Sequence, residues 1–418
     1  MKYSINFALA FSAANFVAFP SRVFDLSMSE HEKRALAGIS AGVKAKAQEW
    51  KPDVKRTPEY FASQQYVSNT GAHAFEAPEP KDLCGPCSGL NAMANHSYLP
   101  HNRVAMISQF VQGTYDVFAY GAVMDGGLTS WSIRDPPSSS LLSSFGLLGT
   151  PQGISGSHNK YEADASPTRH VLYGDAGNDY KLILHQFNKL CNSSLWPDGY
   201  DLSTLITFRA KRFKESQDTN PYFFNGPFIG VAVQPAAYIF IYRFMSNKST
   251  DFPEGYLNAG VLKTFSSITG DSSASFKWTE GYESIPDSWC KPAIGDEYTI
   301  SYFQSDLVAA ALDYSQLLDV GGNTGTVDSF TGVDVQALTG GVFNTATLAE
   351  GNNAFCFAFQ FAQQVAPDLL KGLFSAVTKP LDQLSGAIST VLAALSCPQL
   401  EPIDCAQFSH YPGSTGAC

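Results

Sequence analysis

The chain has 418 residues, 44% of them hydrophobic and only 16% charged, with a formal net charge of −11. That is a globular composition, long enough for one large domain or two modest ones. An acidic, lysine-poor surface makes poor contact with phosphates, which excludes nucleic acid as a partner. The 30 Phe, 19 Tyr and five Trp supply a core, and the surplus of Phe also suits an apolar pocket.

The first residues, MKYSINFALAFSAANFVAFPSR, place Lys2 before an apolar run from Ile5 to Phe19. Ser12 and Asn15 interrupt that run, and it is short for a membrane span. Residues 1–20 therefore read as a secretory signal peptide, with cleavage between Ala14 and Ser21. An N-terminal core helix is the other reading. Residues 21–60 are a charged extension of helical propensity with little to bury. Loop-like sequence follows to about residue 80.

Ser88 to Leu99 reads as a helix with Leu90, Met93 and Ala94 on one face and Pro100 as its stop. Val104 to Phe118 reads as a second. Residues 124–160 are rich in Gly, Ser and Pro and form a long loop region. YKLILHQFNKL and LSTLITFRAKRFKESQDTNP read as helices, the latter ending before Pro221. Phe228 to Phe244 is the most apolar later stretch, but Gln234, Pro235 and Arg243 break it, so no membrane span is expected. Residues 245–298 read as polar long loops. Tyr302 to Leu318, Leu348 to Leu373 and Val377 to Leu395 read as helices, with turn and short-strand material at 321–341. The fold class is mainly α, with long loops and few short strands.

Secretion permits disulfides and glycans. Three sequons begin at Asn95, Asn192 and Asn247. The first falls inside a helix and is expected to be unused. The eight cysteines are too sparse for a disulfide scaffold, and four of them fall between residues 356 and 418.

Cys84 and Cys87 form a CxxC just before a helix. A redox pair of the thioredoxin kind would need a βαβ setting, which is missing. A zinc site would need a further pair at ligand spacing; His96 and His101 are nearby but unconvincing. The third reading is a thiolate at a helix N-terminus. Pro86 stiffens the approach, and the unpaired N–H groups from Ser88 to Leu90 together with the helix dipole favour an ionised sulfur. Such a thiolate is one of the few axial ligands of haem iron.

PCSGLNAMANHSYLPHN, YEADASPTRHVLYGD, RFKESQDTNPYF and the tail GGNTGTVDSFTGVDVQALTGGVFNTATLAEGNNAFCFAFQ…CPQLEPID occur in order. This series resembles the signatures of the fungal haem-thiolate peroxidases, the chloroperoxidase and unspecific peroxygenase family, long type. The resemblance spans roughly residues 50–410 and implies a single helical peroxidase domain over residues 61–410, with a tail at 411–418. It also implies haem b with Cys87 as axial thiolate, flanked by Pro86 and Ser88. It further implies a Mg2+ beside a haem propionate, held by Glu162, Asp164, Ser166 and the carbonyl of Ala163. Hard oxygen donors suit that cation; by themselves those residues would read as a helix cap with flanking charge. Cys356 with Cys397 is implied as a disulfide, and Cys405 with Cys418 as a second. Cys84, Cys191 and Cys290 stay unassigned.

Two positions depart from the pattern. Ser88 stands where the family has proline. It restores an N–H that, aimed at the sulfur, would weaken electron donation; the plainer reading is a helix cap. The distal glutamate and its arginine are also missing. Gln234 and Pro235 stand near the expected acid, Pro227 and Phe228 near the expected arginine, and no acid occurs between Asp218 and Asp251. The histidine used by shorter members is Ala163 here. Three substitutes are His158 reaching over the haem, Gln234 orienting water or peroxide, and Asp251 or Glu254 folding across. Their plainer readings are a loop histidine, a helix-satisfied glutamine and solvated acids.

The expected function is a secreted peroxidase or peroxygenase that uses hydrogen peroxide on small apolar or aromatic molecules. The alternative is a haem protein without the usual acid–base group, performing isomerisation, dehydration or ligand binding. A third is a cofactor-free interaction module, disfavoured by the intact Cys87.

Overall fold

A computed structural model describes residues 62–80, 82, 84–103, 105, 107–119, 163–171, 173–174, 181–193, 199–293, 298, 300–371, 392–393 and 395–414. The expected signal peptide, the extension at 21–60 and all but residues 392, 393 and 395 of the expected helix at 377–395 lie outside these residues. Helices dominate, as composition and periodicity foretold. Those of seven residues or more are α1 Ser88–Asn95, α2 Ile107–Phe118, α3 Leu184–Cys191, α4 Leu202–Thr219, α5 Gln234–Met245, α6 Ala259–Phe265, α7 Ile300–Asp313 and α8 Asn353–Lys371.

Local chemistry sets their ends. Asp201 caps α4 by accepting from the Thr204 N–H at 2.7 Å, and Pro221 prevents continuation past Asn220. Asn258 caps α6 in the same way. Several helices are shorter than periodicity suggested. α1 stops at Asn95, not Leu99, because Ser97 turns left-handed (φ 57°) and the chain reverses ahead of Pro100. α2 begins at Ile107 rather than Val104. α3 begins at Leu184, because Leu182 bridges to Arg169 instead. The segment 245–298 is not all loop. It contains α6 and a hairpin of β2 (Ile268–Thr269) and β3 (Lys277–Trp278).

Strand is scarce. β1 (Phe224–Asn225) pairs antiparallel with β4 (Gly321–Gly322), which pairs antiparallel with β5 (Thr331–Gly332). One continuous core runs through α1, α2, α5, α6, α7 and α8. Its aromatic density is spent on edge-to-face packing, as where Trp289 meets Phe118 and Phe265 at 5.8 and 5.5 Å. Gly113 lets α2 pass over the end of α1: a β-carbon there would stand 2.8 Å from the Tyr98 carbonyl.

Cys356 and Cys397 form a disulfide that fastens α8 to the C-terminal segment. Cys405 is also disulfide-bonded, and Cys418, its expected partner, lies outside the described residues. Cys84, Cys87, Cys191 and Cys290 are thiols. Among the described residues, no helix is long and apolar enough to cross a membrane.

Asp319, between α7 and β4, is half-buried, but protein crowds its carboxyl without a compensating charge and pushes its pKa up to about 7. Folding then raises this acid above its unfolded value of about 3.9. Its contribution to stability is full below that value and is lost as pH rises to about 7. Asp319→Asn is therefore expected to exceed the parent in stability by ~1–2 kcal/mol at pH 8, after allowance for solvent screening. The difference should close by pH 4. Urea denaturation at the two pH values tests this; an equal effect at both would contradict it.

Candidate active site

Cys87 is the N-cap of α1, with extended backbone (φ −85°, ψ 105°). At such a position the N–H groups two and three residues onward face the cap side chain. Those belong to Gly89 and Leu90, and both favour the ionised sulfur, although neither makes a capping hydrogen bond. Ser88 is not the cap, as its plainer reading had it, because the cap is Cys87 and Ser88 is the first helical residue. Ser88 Oγ instead lies 3.4 Å from Arg169 Nη2.

The Cys87 side chain is exposed, yet protein surrounds it densely enough that desolvation dominates and raises its pKa. Both observations fit a sulfur that faces a recess rather than open surface. Arg169 acts to lower that pKa, and Glu283 acts to raise it. The thiol therefore stands between two opposite charges. This donor set suits haem iron: an accessible sulfur at a helix N-terminus, with backbone N–H groups to moderate its charge.

The loop before Cys87 is held from within. Asn91, one turn into α1, accepts from the Gly85 N–H at 3.2 Å and donates back to the Gly85 carbonyl at 3.0 Å. The same amide donates to Glu283 Oε1 at 3.1 Å. Asn95, fully buried, donates to the carbonyls of Gly281 and Glu283 at 2.7 and 2.8 Å. His96 accepts from the Ile285 N–H at Nε2, which leaves Nδ1–H to donate to the His73 carbonyl. Burial holds its pKa below the usual range. His96 is thereby satisfied as a neutral fastener, and His101 pairs with Asp82; neither is a ligand. The two asparagines and the histidine of the LNAMANH signature clamp α1 to segment 281–285.

From Asp164 to Arg169 a strap joins this face to the next. Its carbonyls at Asp164, Ala165 and Ser166 accept from Gln234 Nε2, the Tyr238 hydroxyl and Arg212 Nε at 3.3, 2.5 and 3.2 Å. At its other end Arg169 donates to the Pro86 carbonyl at 2.6 Å. Five peptide steps span at most roughly 18 Å, so the faces it links belong to a single site. The buried Asp164 accepts from Asn220 at 3.0 Å through Oδ2, and Ser166 Oγ accepts from the Arg169 N–H at 3.3 Å. Carboxylate and hydroxyl on one strap fit a hard cation, with the Ala163 carbonyl between Glu162 and Asp164 in sequence. Glu162 and His158 lie outside the described residues. No group of three or more His, Cys, Asp or Glu able to hold a metal occurs among those described.

The other candidate acid–base residues are not brought to the site as free groups. Gln234 is buried with both polar atoms engaged, Oε1 with Arg209 Nε at 2.6 Å and Nε2 with the strap. Asp251 and Glu254 are exposed on the 249–256 turn. Arg169 and Glu283 were missed by sequence reasoning. Arg169 sits inside the SPTRH motif, where its side chain has no pattern of its own, and Glu283 lies in a polar segment far along the chain.

Residues 73–294 match the family model described as Peroxidase, family 2. The chain is 41% identical over 376 residues to the dothistromin biosynthesis peroxidase dotB of Dothistroma septosporum, spanning 87% of this chain and 90% of the relative. The chain belongs to the family 2 peroxidases. This family 2 peroxidase is also 34% identical over 366 residues to the aromatic peroxidase fscJ of Fusarium equiseti, covering 82% of each. With the aromatic peroxygenase of Cyclocybe aegerita it shares 32% identity over 250 residues, 53% of this chain and 61% of the relative.

Asn91→Leu keeps size but removes the donor to a buried carboxylate and both ties to Gly85. It is expected to lower stability by about 3 kcal/mol. Adding Glu283→Leu should recover part of that loss, because the stranded charge goes with it. Urea denaturation of the single and double variants checks this; additive losses would contradict it.

Proposed function

We propose that the protein is a secreted haem-thiolate enzyme that uses hydrogen peroxide to oxidise or oxygenate small apolar or aromatic molecules. The observation that carries this reading is Cys87: an accessible cap sulfur facing the Gly89 and Leu90 N–H groups, in a member of the peroxidase family. Haem supplies the cleavage of the peroxide O–O bond and the oxidising equivalents; the chain supplies the setting.

Cys87 would hold the haem iron through its thiolate. Arg169 holds the Pro86 carbonyl and places a positive charge beside that sulfur. Asn91, bonded to Glu283, fixes the loop that carries it. On the strap, Asp164 and Ser166, with Glu162 and the Ala163 carbonyl, would hold Mg2+ against a haem propionate. Phe-rich walls would take the apolar substrate and exclude water.

A specific observation favours the second reading as well. Gln234 binds Arg209 and the strap through its two polar atoms, and no acid occurs between Asp218 and Asp251. Haem chemistry that needs no distal carboxylate, such as dehydration or isomerisation, would fit that arrangement.

The first reading is tested by the reduced carbon monoxide complex of the secreted protein. A Soret band at the red-shifted thiolate position is expected, and Cys87→Ala should abolish it. A band at the histidine-ligated position, or no haem, would refute the reading. Peroxide-dependent turnover on a broad apolar and aromatic panel separates the two chemistries. Its absence in haem-loaded protein would favour the second.

A further inference from the structure

Glu283 is 3% exposed, and only half of its carboxyl is satisfied. Oε1 accepts from Asn91 Nδ2 at 3.1 Å. Oε2 is buried and has no hydrogen-bond partner among the described residues. The two guanidiniums that act on this carboxyl are committed to other groups. Arg169 donates to the Pro86 carbonyl at 2.6 Å, and Arg103 pairs with Asp82 at 3.4 Å. A buried carboxylate oxygen without a donor is costly, and a fold that keeps one does so for a reason other than stability.

The place of Glu283 is fixed by contacts on both sides of it. Asn91 Nδ2 bonds the Gly85 carbonyl at 3.0 Å as well as Glu283 Oε1, so one amide group bridges the carboxyl to the chain two residues before Cys87. Asn95 Nδ2 holds the carbonyls of Gly281 and Glu283 against α1. Gly281 has φ 81°, and a β-carbon there would stand 2.9 Å from Cys84 Sγ. Segment 281–283 therefore lies directly against residues 84–87, the loop that carries the sulfur. Through protein of low dielectric a charge so placed is felt across several ångströms. The Gly89 and Leu90 N–H groups and Arg169 draw charge from the Cys87 sulfur, and Glu283 acts in the opposite sense.

We propose that Glu283 is a positioning residue that acts through Cys87: its buried carboxylate, packed against the 84–87 loop, opposes the N–H groups and Arg169 and keeps charge on the sulfur. In a haem-loaded protein that charge strengthens donation to the iron and favours its ferric state. The proposal rests on the haem reading and names the group that sets the strength of the thiolate.

The ferric–ferrous equilibrium of the haem-loaded secreted protein is titrated spectroscopically, and the reduced carbon monoxide Soret band is recorded in the same samples. Glu283→Gln keeps the shape and the acceptor for Asn91 but removes the charge. At a fixed solution potential it is expected to raise the ferrous-to-ferric ratio by about tenfold or more, with the thiolate Soret band retained. Glu283→Asp keeps the charge and should hold the ratio within about threefold of the parent. If Glu283→Gln does not fold, the Asn91→Leu, Glu283→Leu double variant removes the same charge together with the donor it would strand, and the same rise is expected. An unchanged ratio in protein with a thiolate Soret band would overturn the proposal and leave the haem reading standing. Lower haem occupancy, with the ratio of the bound fraction unchanged, would also overturn it and make Glu283 a structural tie alone. A parent protein without a thiolate Soret band would overturn the haem reading and this proposal with it.

Discussion

The position of one sulfur depends on one amide. Asn91 lies a turn inside α1, yet its side chain closes a ring with both backbone groups of Gly85. The residues that lead to the cap are therefore held by the helix they introduce. Without that ring, the approach would be a Gly-Pro loop with little to define it. With it, Cys87 faces the Gly89 and Leu90 N–H groups in one geometry. Glu283 secures the amide, Arg169 secures the Pro86 carbonyl, and the strap carries that order to α4 and α5. Most of these contacts join a side chain to the main chain, whose partners tolerate few alternative arrangements.

The opposite face has another logic. The resemblance to the haem-thiolate peroxidases implies a carboxylate there, whereas this chain has Gln234, Pro235 and, from a different helix, Arg209. Residues Ile229–Val233 form a π-turn whose register would send the Gly230 carbonyl to residue 235; Pro235 has no N–H, and Arg209 Nη2 takes that carbonyl at 3.1 Å. The three are tied by hydrogen-bond accounting. Proline removes a donor, a carbonyl is left over, and a guanidinium takes it. A single substitution at 234 would act on that whole set, because the amide oxygen and the freed carbonyl hold the same side chain.

Much of the site was legible where chemistry is local. A cysteine between proline and a helix start is readable as a cap, and the resemblance carried Asp164 and Ser166 to one strap and Cys356 to Cys397. The lengths of α1 and α3 were not legible, because the reversal at Ser97 and the Arg169–Leu182 bridge are tertiary events that override propensity. Glu283 was invisible for a similar reason: nothing in EGYESIPDSW says that it meets Asn91 from 192 positions away. Arg209 did leave a trace. It falls on the same helical face as Leu205, Arg212 and Phe213, all buried, where a charge is costly. The trace pointed to burial but not to the groups the charge would meet. That depended on the π-turn, which no periodicity announces.

The π-turn at 229–233 also sets the rotational phase of α5, the helix it leads into. One residue more than an α-helical turn needs is accommodated there, and each residue of an α-helix advances the helix by about 100°. Gln234 and Tyr238 of α5 face the strap only because that extra residue is present. A chain shortened by one residue between Phe228 and Gln234 would run as regular α-helix, with α5 turned by about that angle. Gln234 and Tyr238 would then point away from the carbonyls of Asp164 and Ala165. The face presented to the site is thus governed by a residue count in a segment whose own side chains pack in the core.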